Sequence, residues 1–158
     1  MPIVSFTRPA DTTAYASGDL VANSTTAGSV QRLVLRPAQE AGGSQLIRRV
    51  RLVKSTSGLT GAAFRVHFYA LVPGVGLTFA NGDNAAWSTN RALGYFGASD
   101  ITMDRAYTDG ALGIDVPLRG GEIVTPRDLD LVVALEARGA YTPGSAEVFT
   151  IDVETVEL

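Results

Sequence analysis

The sequence predicts an all-β fold: a single antiparallel β-sandwich, jelly-roll-like, of about eight to ten strands. Three observations support this prediction. Apolar and polar residues alternate with a period of two in several segments, as in strands with one buried face. Turn residues separate those segments, and a sustained period of 3.6, the pattern of a long helix, is missing. The seventeen glycines and seven prolines are scattered along the 158 residues, so no linker marks a second domain.

The alternation identifies the individual strands. Residues 63–70 alternate strictly and predict a half-buried strand. In residues 45–54, we expect Leu46, Val50 and Leu52 to share one side, with arginines opposite. The other predicted strands are 129–137 and 149–154, followed by the less regular segments 3–6, 20–22, 30–35, 93–101 and 121–124.

The first eighteen residues differ from the rest of the chain. They contain few aliphatic residues and a proline that disfavours a central strand. One interpretation is a segment that docks on its own domain through Ile3, Val4 and Phe6, and this is the one we favour. The other is an arm that reaches over a neighbouring subunit. We therefore divide the chain into an N-terminal extended segment or arm, 1–18, and a single β-sandwich domain, 19–158.

The composition excludes several classes of protein. Because the chain has no cysteine, disulfide scaffolds, zinc–thiolate sites and cysteine nucleophiles are excluded. The formal net charge of −3 argues against nonspecific binding to nucleic acid or to anionic membranes. No apolar stretch approaches the roughly 18 residues of a membrane span, and the N-terminus lacks the pattern of a secretory signal. We therefore expect synthesis in the cytoplasm.

Charge is distributed unevenly along the chain. Residues 1–80 hold eight basic and three acidic side chains, whereas the remaining residues hold five basic and thirteen acidic ones. This asymmetry could mark a basic face for a partner. The alternative, which we favour, is that basic and acidic strands lie side by side in one sheet and form ion pairs across it.

Motifs for catalysis are weak. A Ser-His-Asp triad would need His67, the single histidine, which falls on the polar face of a predicted strand. A structural or solvent-exposed histidine is the better interpretation there. No serine lies in the Gly-x-Ser-x-Gly elbow of a hydrolase, and the sole lysine, Lys54, follows Val53 in a predicted strand and not a phosphate-binding loop. We therefore expect no catalytic residue and no cofactor.

Acidic and amide side chains cluster between residues 81 and 115. Calcium prefers several such oxygens converging from a loop, but their spacing does not match the EF-hand. The interpretation that we favour is a set of tight turns in which Asp and Asn bond to their own backbone. We accordingly expect no metal site. The residues concerned are Asn81, Asp83, Asn84, Asp100, Asp104, Asp109 and Asp115.

Five short stretches carry a family resemblance: 11–19 (DTTAYASGD), 47–52 (IRRVRL), 64–69 (FRVHFY), 81–86 (NGDNAA) and 93–97 (LGYFG). Together they resemble small proteins encoded with the capsid genes of tailed bacteriophages, the cement or decoration proteins. The resemblance implies a jelly-roll subunit, assembled as a trimer, that bridges major capsid protein subunits on the outer surface of the virion. It implies neither a catalytic residue nor a cofactor.

The function expected from this resemblance is that of a structural virion protein, not an enzyme, with the major capsid protein as partner. For the capsid or subunit interface we predict contacts through the N-terminal segment and an arginine-bearing strand. The residues are Phe6, Arg8, Tyr15, Arg48, Arg49 and Arg51.

Two other functions remain open. A carbohydrate- or receptor-binding module of a phage tail or fibre would need an exposed aromatic platform, for which Trp87, Tyr95 and Tyr107 are the candidates. A small hydrolase or glycosidase would need acids with raised pKa values in a cleft.

Overall fold

Eleven strands and one 3₁₀ turn, at Ala27–Ser29, make up the regular structure in a computed structural model that describes residues 2–36, 43–72, 77–88, 94–117, 123–125 and 130–158. None of the described elements is a helix long and apolar enough to cross a membrane. The strands are β1 (Ile3–Thr7), β2 (Leu20–Val21), β3 (Leu33–Leu35), β4 (Gln45–Lys54), β5 (Ala63–Ala70), β6 (Tyr95–Thr102), β7 (Arg105–Tyr107), β8 (Gly110–Asp115), β9 (Ile123–Val124), β10 (Leu131–Ala137) and β11 (Val148–Glu157).

The strands form two antiparallel sheets packed against each other. The first sheet has the order β1-β11-β4-β8-β7, with β9 beside β4, and the second has the order β2-β10-β5-β6, with β3 also on β10. If β2 and β3 count as one interrupted strand and the short β7 and β9 are set aside, eight strands remain. Their order is 1-8-3-6 in the first sheet and 2-7-4-5 in the second, which is the jelly-roll order. The predicted fold class is therefore confirmed.

Nine of the eleven strands correspond to predicted ones, with 45–54 and 63–70 predicted to their end residues. Residues 93, 121, 122 and 129 of the predicted strands lie outside the described residues.

The two strands that were not predicted, β7 and β8, form a hairpin within the acidic stretch. Two inward positions of β8 are small, Ala111 and Gly113, and at Gly113 the reason is Ile101, from which a Cβ there would lie 2.6 Å. The larger Leu112 and Ile114 therefore face outward, which inverts the usual pattern.

The core lies between the sheets and is mainly aliphatic and aromatic. Val50 and Leu52 of β4 are fully buried, and so is Phe149 of β11. Phe64 of β5 packs edge-on against Phe149, with 5.4 Å between the ring centroids, and Phe6 of β1 stacks on the same ring at 5.7 Å. These rings hold three strands of the two sheets at a single point of contact.

The predicted face of Leu46 is wrong. We expected it on the side of Val50 and Leu52, but Ile47 is the residue buried there and Leu46 faces outward, half-buried. The reason is a shift of register between β4 and β11, in which Arg48 has no opposite residue. One extra residue in a strand reverses the alternation on either side of it.

The N-terminal segment is joined to its own sandwich. All five residues of β1 pair with β11, from Ile3 opposite Asp152 to Thr7 opposite Val148. Beyond β1, the Tyr15 amide donates to a backbone carbonyl of the loop before β11 at 2.8 Å. Docking on its own domain, the interpretation that we favoured, therefore describes this segment, with Val4 and Phe6 packed on the core. The predicted role of Ile3 is wrong, because Ile3 faces outward and is 60% exposed.

A glycine in the loop between β4 and β5 supplies a first test of the fold. Gly61 has a φ of +69°, and a Cβ there would lie 2.0 Å from the carbonyl oxygen of Ala140. Gly61→Ala should therefore lower the free energy of unfolding by about 2 kcal/mol or more. Gly58→Ala, in the same loop with no atom within 4 Å of the new Cβ, should change it by less than about 1 kcal/mol. Urea denaturation of both variants measures the difference, and equal midpoints would contradict the described loop.

Candidate protein-binding face

Three of the six predicted interface residues lie inside the protein. Phe6, Arg8 and Tyr15 are each no more than 5% exposed. Phe6 belongs to the aromatic core, and the side chains of Arg8 and Tyr15 bond to each other. Because these three side chains are buried in this fold, the interface proposed below does not include them.

Arg8 is the centre of a buried polar network. Its guanidinium lies 3.0 Å from Asp83, and both side chains are completely inaccessible to solvent. The Tyr15 hydroxyl donates to Asp83 at 2.6 Å and accepts from Arg8 at 2.9 Å, while the Ala22 amide donates to Asp83 at 2.8 Å. Burial raises the pKa of the Asp83 carboxyl, and these hydrogen bonds oppose that shift. The network thus ties the N-terminal segment to β2 and to the loop 77–88.

A second buried network surrounds Lys54, at the end of β4. Its ammonium donates to the carbonyl of Thr56 at 2.6 Å and lies 3.4 Å from Glu147, again with both charged side chains inaccessible. The Tyr141 hydroxyl donates to Glu147 at 2.7 Å, and the Tyr141 ring stacks on that of Tyr15. Burial lowers the pKa of Lys54 against the opposing charge of Glu147. In both networks the charged atoms bond to one another within the fold, so a substrate has no access to them.

The outer side of the first sheet is a broad surface that no other described element covers. We call it the open face. Because Val50 and Leu52 point into the core, the residues that alternate with them point outward, and the pairing registers extend this assignment to the neighbouring strands. The open face consists of Ile3, Ser5, Leu46, Arg48, Arg49, Arg51, Val53, Leu112, Ile114, Val124, Thr150, Asp152, Glu154 and Val156.

Two ion pairs cross the open face between β4 and β11. Arg49 lies 2.9 Å from Glu154, and Arg51 bonds to Asp152. The favoured interpretation of the charge asymmetry is therefore confirmed: the basic strand β4 lies beside the acidic strand β11. The remaining predicted interface residue, Arg48, is exposed at the register shift. All three arginines of the prediction thus lie on the open face.

Apolar side chains surround these ion pairs. Val156, Leu46 and Val124 lie opposite one another on three adjacent strands, and the two valines are 41% and 39% exposed. Ile3 and Ile114 lie at the two ends of the cross-strand row that contains Asp152 and Arg51, and Ile3 is 60% exposed. Contiguous exposed apolar residues with a polar centre are typical of a protein-contact surface.

The outer side of the second sheet is, in contrast, partly covered. The loop 77–88 places Trp87 over His67, with 4.3 Å between the ring centroids. His67 is buried, and its Nε2 lies 2.6 Å from a carboxylate oxygen of Glu136. The histidine therefore holds a loop on the sheet, and it is structural rather than solvent-exposed.

A shallow polar depression lies at one end of that sheet. Arg65 donates twice to Asp100, at 2.6 and 2.7 Å, and this hydrogen bonding lowers the pKa of the Asp100 carboxyl. Tyr95, at the opposite end of β6, is exposed, whereas Tyr107 belongs to the first sheet. Of the three candidates for an aromatic platform, Trp87 and Tyr95 thus share a face and Tyr107 does not.

The acidic and amide side chains between residues 81 and 115 are spread over the fold, and several bond to distant segments rather than to their own turns, so the favoured interpretation is wrong for these residues. Asp83 is bonded to Arg8 and Tyr15, while Asp115 accepts a hydrogen bond from Ser99 at 2.6 Å. Among the described residues, His, Asp and Glu form no group of three or more that could hold an ion.

The Arg8–Asp83 pair can be tested by removing one charge at a time. Arg8→Met leaves the Asp83 carboxylate buried without its cation and should lower the free energy of unfolding by about 3–5 kcal/mol. Asp83→Asn should lower it by less, because Arg8 keeps Asp11 as an acidic partner at 3.1 Å. Arg49→Met, which breaks a half-exposed pair, is the control and should change it by less than about 1 kcal/mol. Chemical denaturation of the three variants checks this expectation. Equal effects of Arg8→Met and Arg49→Met would contradict the described burial.

Comparisons of the chain with protein-family models, with curated proteins and with solved structures gave no match. The fold is therefore defined by the strand order described above, and function has to be argued from the side chains of the two faces.

Proposed function

We propose that this protein is a structural virion protein, a capsid cement or decoration subunit that binds the outer surface of a shell formed by the major capsid protein and stabilises it. The observation that carries this proposal is the open face, where exposed apolar residues surround ion-paired arginines. The resemblance of five sequence stretches to phage decoration proteins supports the same conclusion. The protein would be made in the host cytoplasm and would act on the virion without a catalytic step.

The chemistry of the open face suits a protein partner. Its apolar rows, with Leu46 between Val124 and Val156, would lose contact with water on docking. Arg49 and Arg51 are neutralised by acids of β11, so covering them buries no unpaired charge. Arginine pairs within an apolar surface are common in protein interfaces.

Stabilisation of a shell would follow from mass action. A subunit that binds the assembled shell and not its separated proteins shifts the equilibrium toward the shell. A shell repeats the same surface many times, and an oligomeric subunit that contacts several of these surfaces at once gains avidity from each weak contact. The resemblance implies a trimer for this purpose; a dimer through the edge of the first sheet, proposed below in place of the trimer, would supply avidity in the same way.

The test adds the purified protein to shells assembled from the major capsid protein of a tailed phage that carries this chain. We expect co-sedimentation and a higher melting temperature of the shells. Val124→Asp combined with Val156→Asp should weaken binding at least about tenfold, because docking would desolvate both carboxylates. Leu59→Asp, an equally exposed apolar position in the loop between β4 and β5, is the matched control and should bind as the original chain does. No binding and no shift would overturn the proposal.

A second candidate function is that of a carbohydrate- or receptor-binding module of a phage tail or fibre. The specific observation in its favour is on the second sheet, where Tyr95 is exposed and Trp87 half-buried on the same face as the Arg65–Asp100 pair. Aromatic rings bind the apolar faces of sugars, and a guanidinium–carboxylate pair can bond to their hydroxyls.

This second function predicts saturable binding to one class of glycan on an array. Tyr95→Ala should then weaken binding at least about tenfold, which corresponds to the loss of one stacking residue at the centre of a contact. Tyr107→Ala removes an exposed tyrosine of the first sheet and should leave binding unchanged. An array without signal would exclude this function. Equal effects of the two variants would exclude the outer side of the second sheet as the glycan-binding surface.

A further inference from the structure

The edge of the first sheet at β1 presents unpaired backbone groups. Pro2 and Arg8, which flank β1, bond to β11 and the residue before it, at 3.1 and 3.0 Å. In an antiparallel ladder every second residue bonds to the same neighbour, so Ile3, Ser5 and Thr7 direct their N–H and C=O groups away from β11. No other described strand pairs with that edge.

The other edges of the sandwich are protected against pairing, and β1 is not. The edge strand β6 carries Asp100 and has an irregular register with its neighbour. The edge strand β7 has three residues and carries Arg105, while β2 and β3 have two and three residues. In contrast, β1 has five residues in regular register without a charged side chain or a proline. A regular uncharged edge that natural proteins normally avoid indicates a strand-pairing site.

We propose that two copies of this chain pair antiparallel through β1, with Ser5 on the two-fold axis, so that the first sheets of both copies form one continuous sheet. In that register Ile3 lies opposite Thr7 of the second copy, and Val4 lies opposite its Phe6. All the residues with free backbone groups then face each other, which gives about six hydrogen bonds between the copies. The sequence of β1 is thus complementary to itself.

Side chains add to the pairing. Strand pairing alone is marginally stable in water, so apolar contacts are needed. Ile3 is 60% exposed in a single copy, and the second copy's Thr7 would cover part of it. Because β1 carries no charge, pairing places no like charges opposite each other. The dimer would also join the two open faces into one surface of twice the width.

The oligomeric state of the purified protein tests this proposal. Light scattering after size exclusion, over a range of concentrations, should give the mass of two chains. Ser5→Lys places two ammonium groups next to each other on the axis and should weaken dimerisation at least about tenfold at low salt. Thr150→Lys is the matched control: Thr150 lies on the same face, 2.8 Å from Ser5, but on an internal strand, so its dimer should persist.

A cysteine variant gives an independent measurement. The chain has no cysteine, so Ser5→Cys introduces a single thiol. Opposed residues of a hydrogen-bonded pair have Cα atoms about 5.5 Å apart, a separation that a disulfide can bridge. Mild oxidation should therefore give a covalent dimer from Ser5→Cys and not from Thr150→Cys.

A monomer at every concentration, a trimer, or a dimer that Ser5→Lys does not weaken would overturn this proposal. A monomer that pairs through β1 with a peptide of another protein would do the same, since the partner proposed here is a second copy. The measurement uses the purified chain alone. A result that excludes the dimer therefore does not bear on the proposed binding to shells. Absence of binding to shells likewise does not bear on the dimer.

Discussion

The arrangement of this sandwich depends on the buried ion pair of Arg8 and Asp83. Such a pair adds little net stability compared with an apolar replacement, because both charges must be desolvated, but once one is buried the other is required. Here the pair joins the part of the N-terminal segment that follows β1 to the loop 77–88, two stretches that lie outside the sheets. That loop also carries Trp87, which lies on His67. By holding this loop in place, the pair contributes to the partial covering of the second sheet, whereas no described loop covers the first.

The difference between the two faces has a physical basis in β8. Two of its inward positions, Ala111 and Gly113, are small, β6 packs directly beneath Gly113, and its large residues, Leu112 and Ile114, point outward. An apolar residue that faces solvent gives folding little and lowers solubility. Several of them on adjacent strands are explained most simply by a partner that covers them. The outward-facing Leu112 and Ile114, which made this hairpin difficult to predict from the sequence, are thus part of the open face on which the proposed function rests.

Period-two alternation was sufficient to predict the fold class and most strands, since one face of each is buried. It failed where a local event changed the period: the extra residue at Arg48 reversed the face of Leu46. The buried networks were beyond prediction for a different reason. Arg8 and Asp83 are 75 residues apart, and nothing local to either indicates that they meet. Arg8 was therefore placed at an interface, whereas the arginines of β4, whose acidic partners are on a paired strand, were placed on the surface where they lie.

The distribution of charge among the described residues fits the proposed binding function. The buried charges are bonded within closed networks, and the arginines Arg49 and Arg51 are neutralised by acids of the adjacent strand. An enzyme needs a charged or nucleophilic group that is accessible and incompletely satisfied before substrate binds. Among the described residues, the open face and the β1 edge offer groups of another kind, which are apolar side chains and backbone groups. Apolar side chains bind through the area that they bury, and backbone groups of a strand bind through a repeated row of hydrogen bonds. The proposed contacts with a shell and with a second copy of the chain would use these two kinds of interaction.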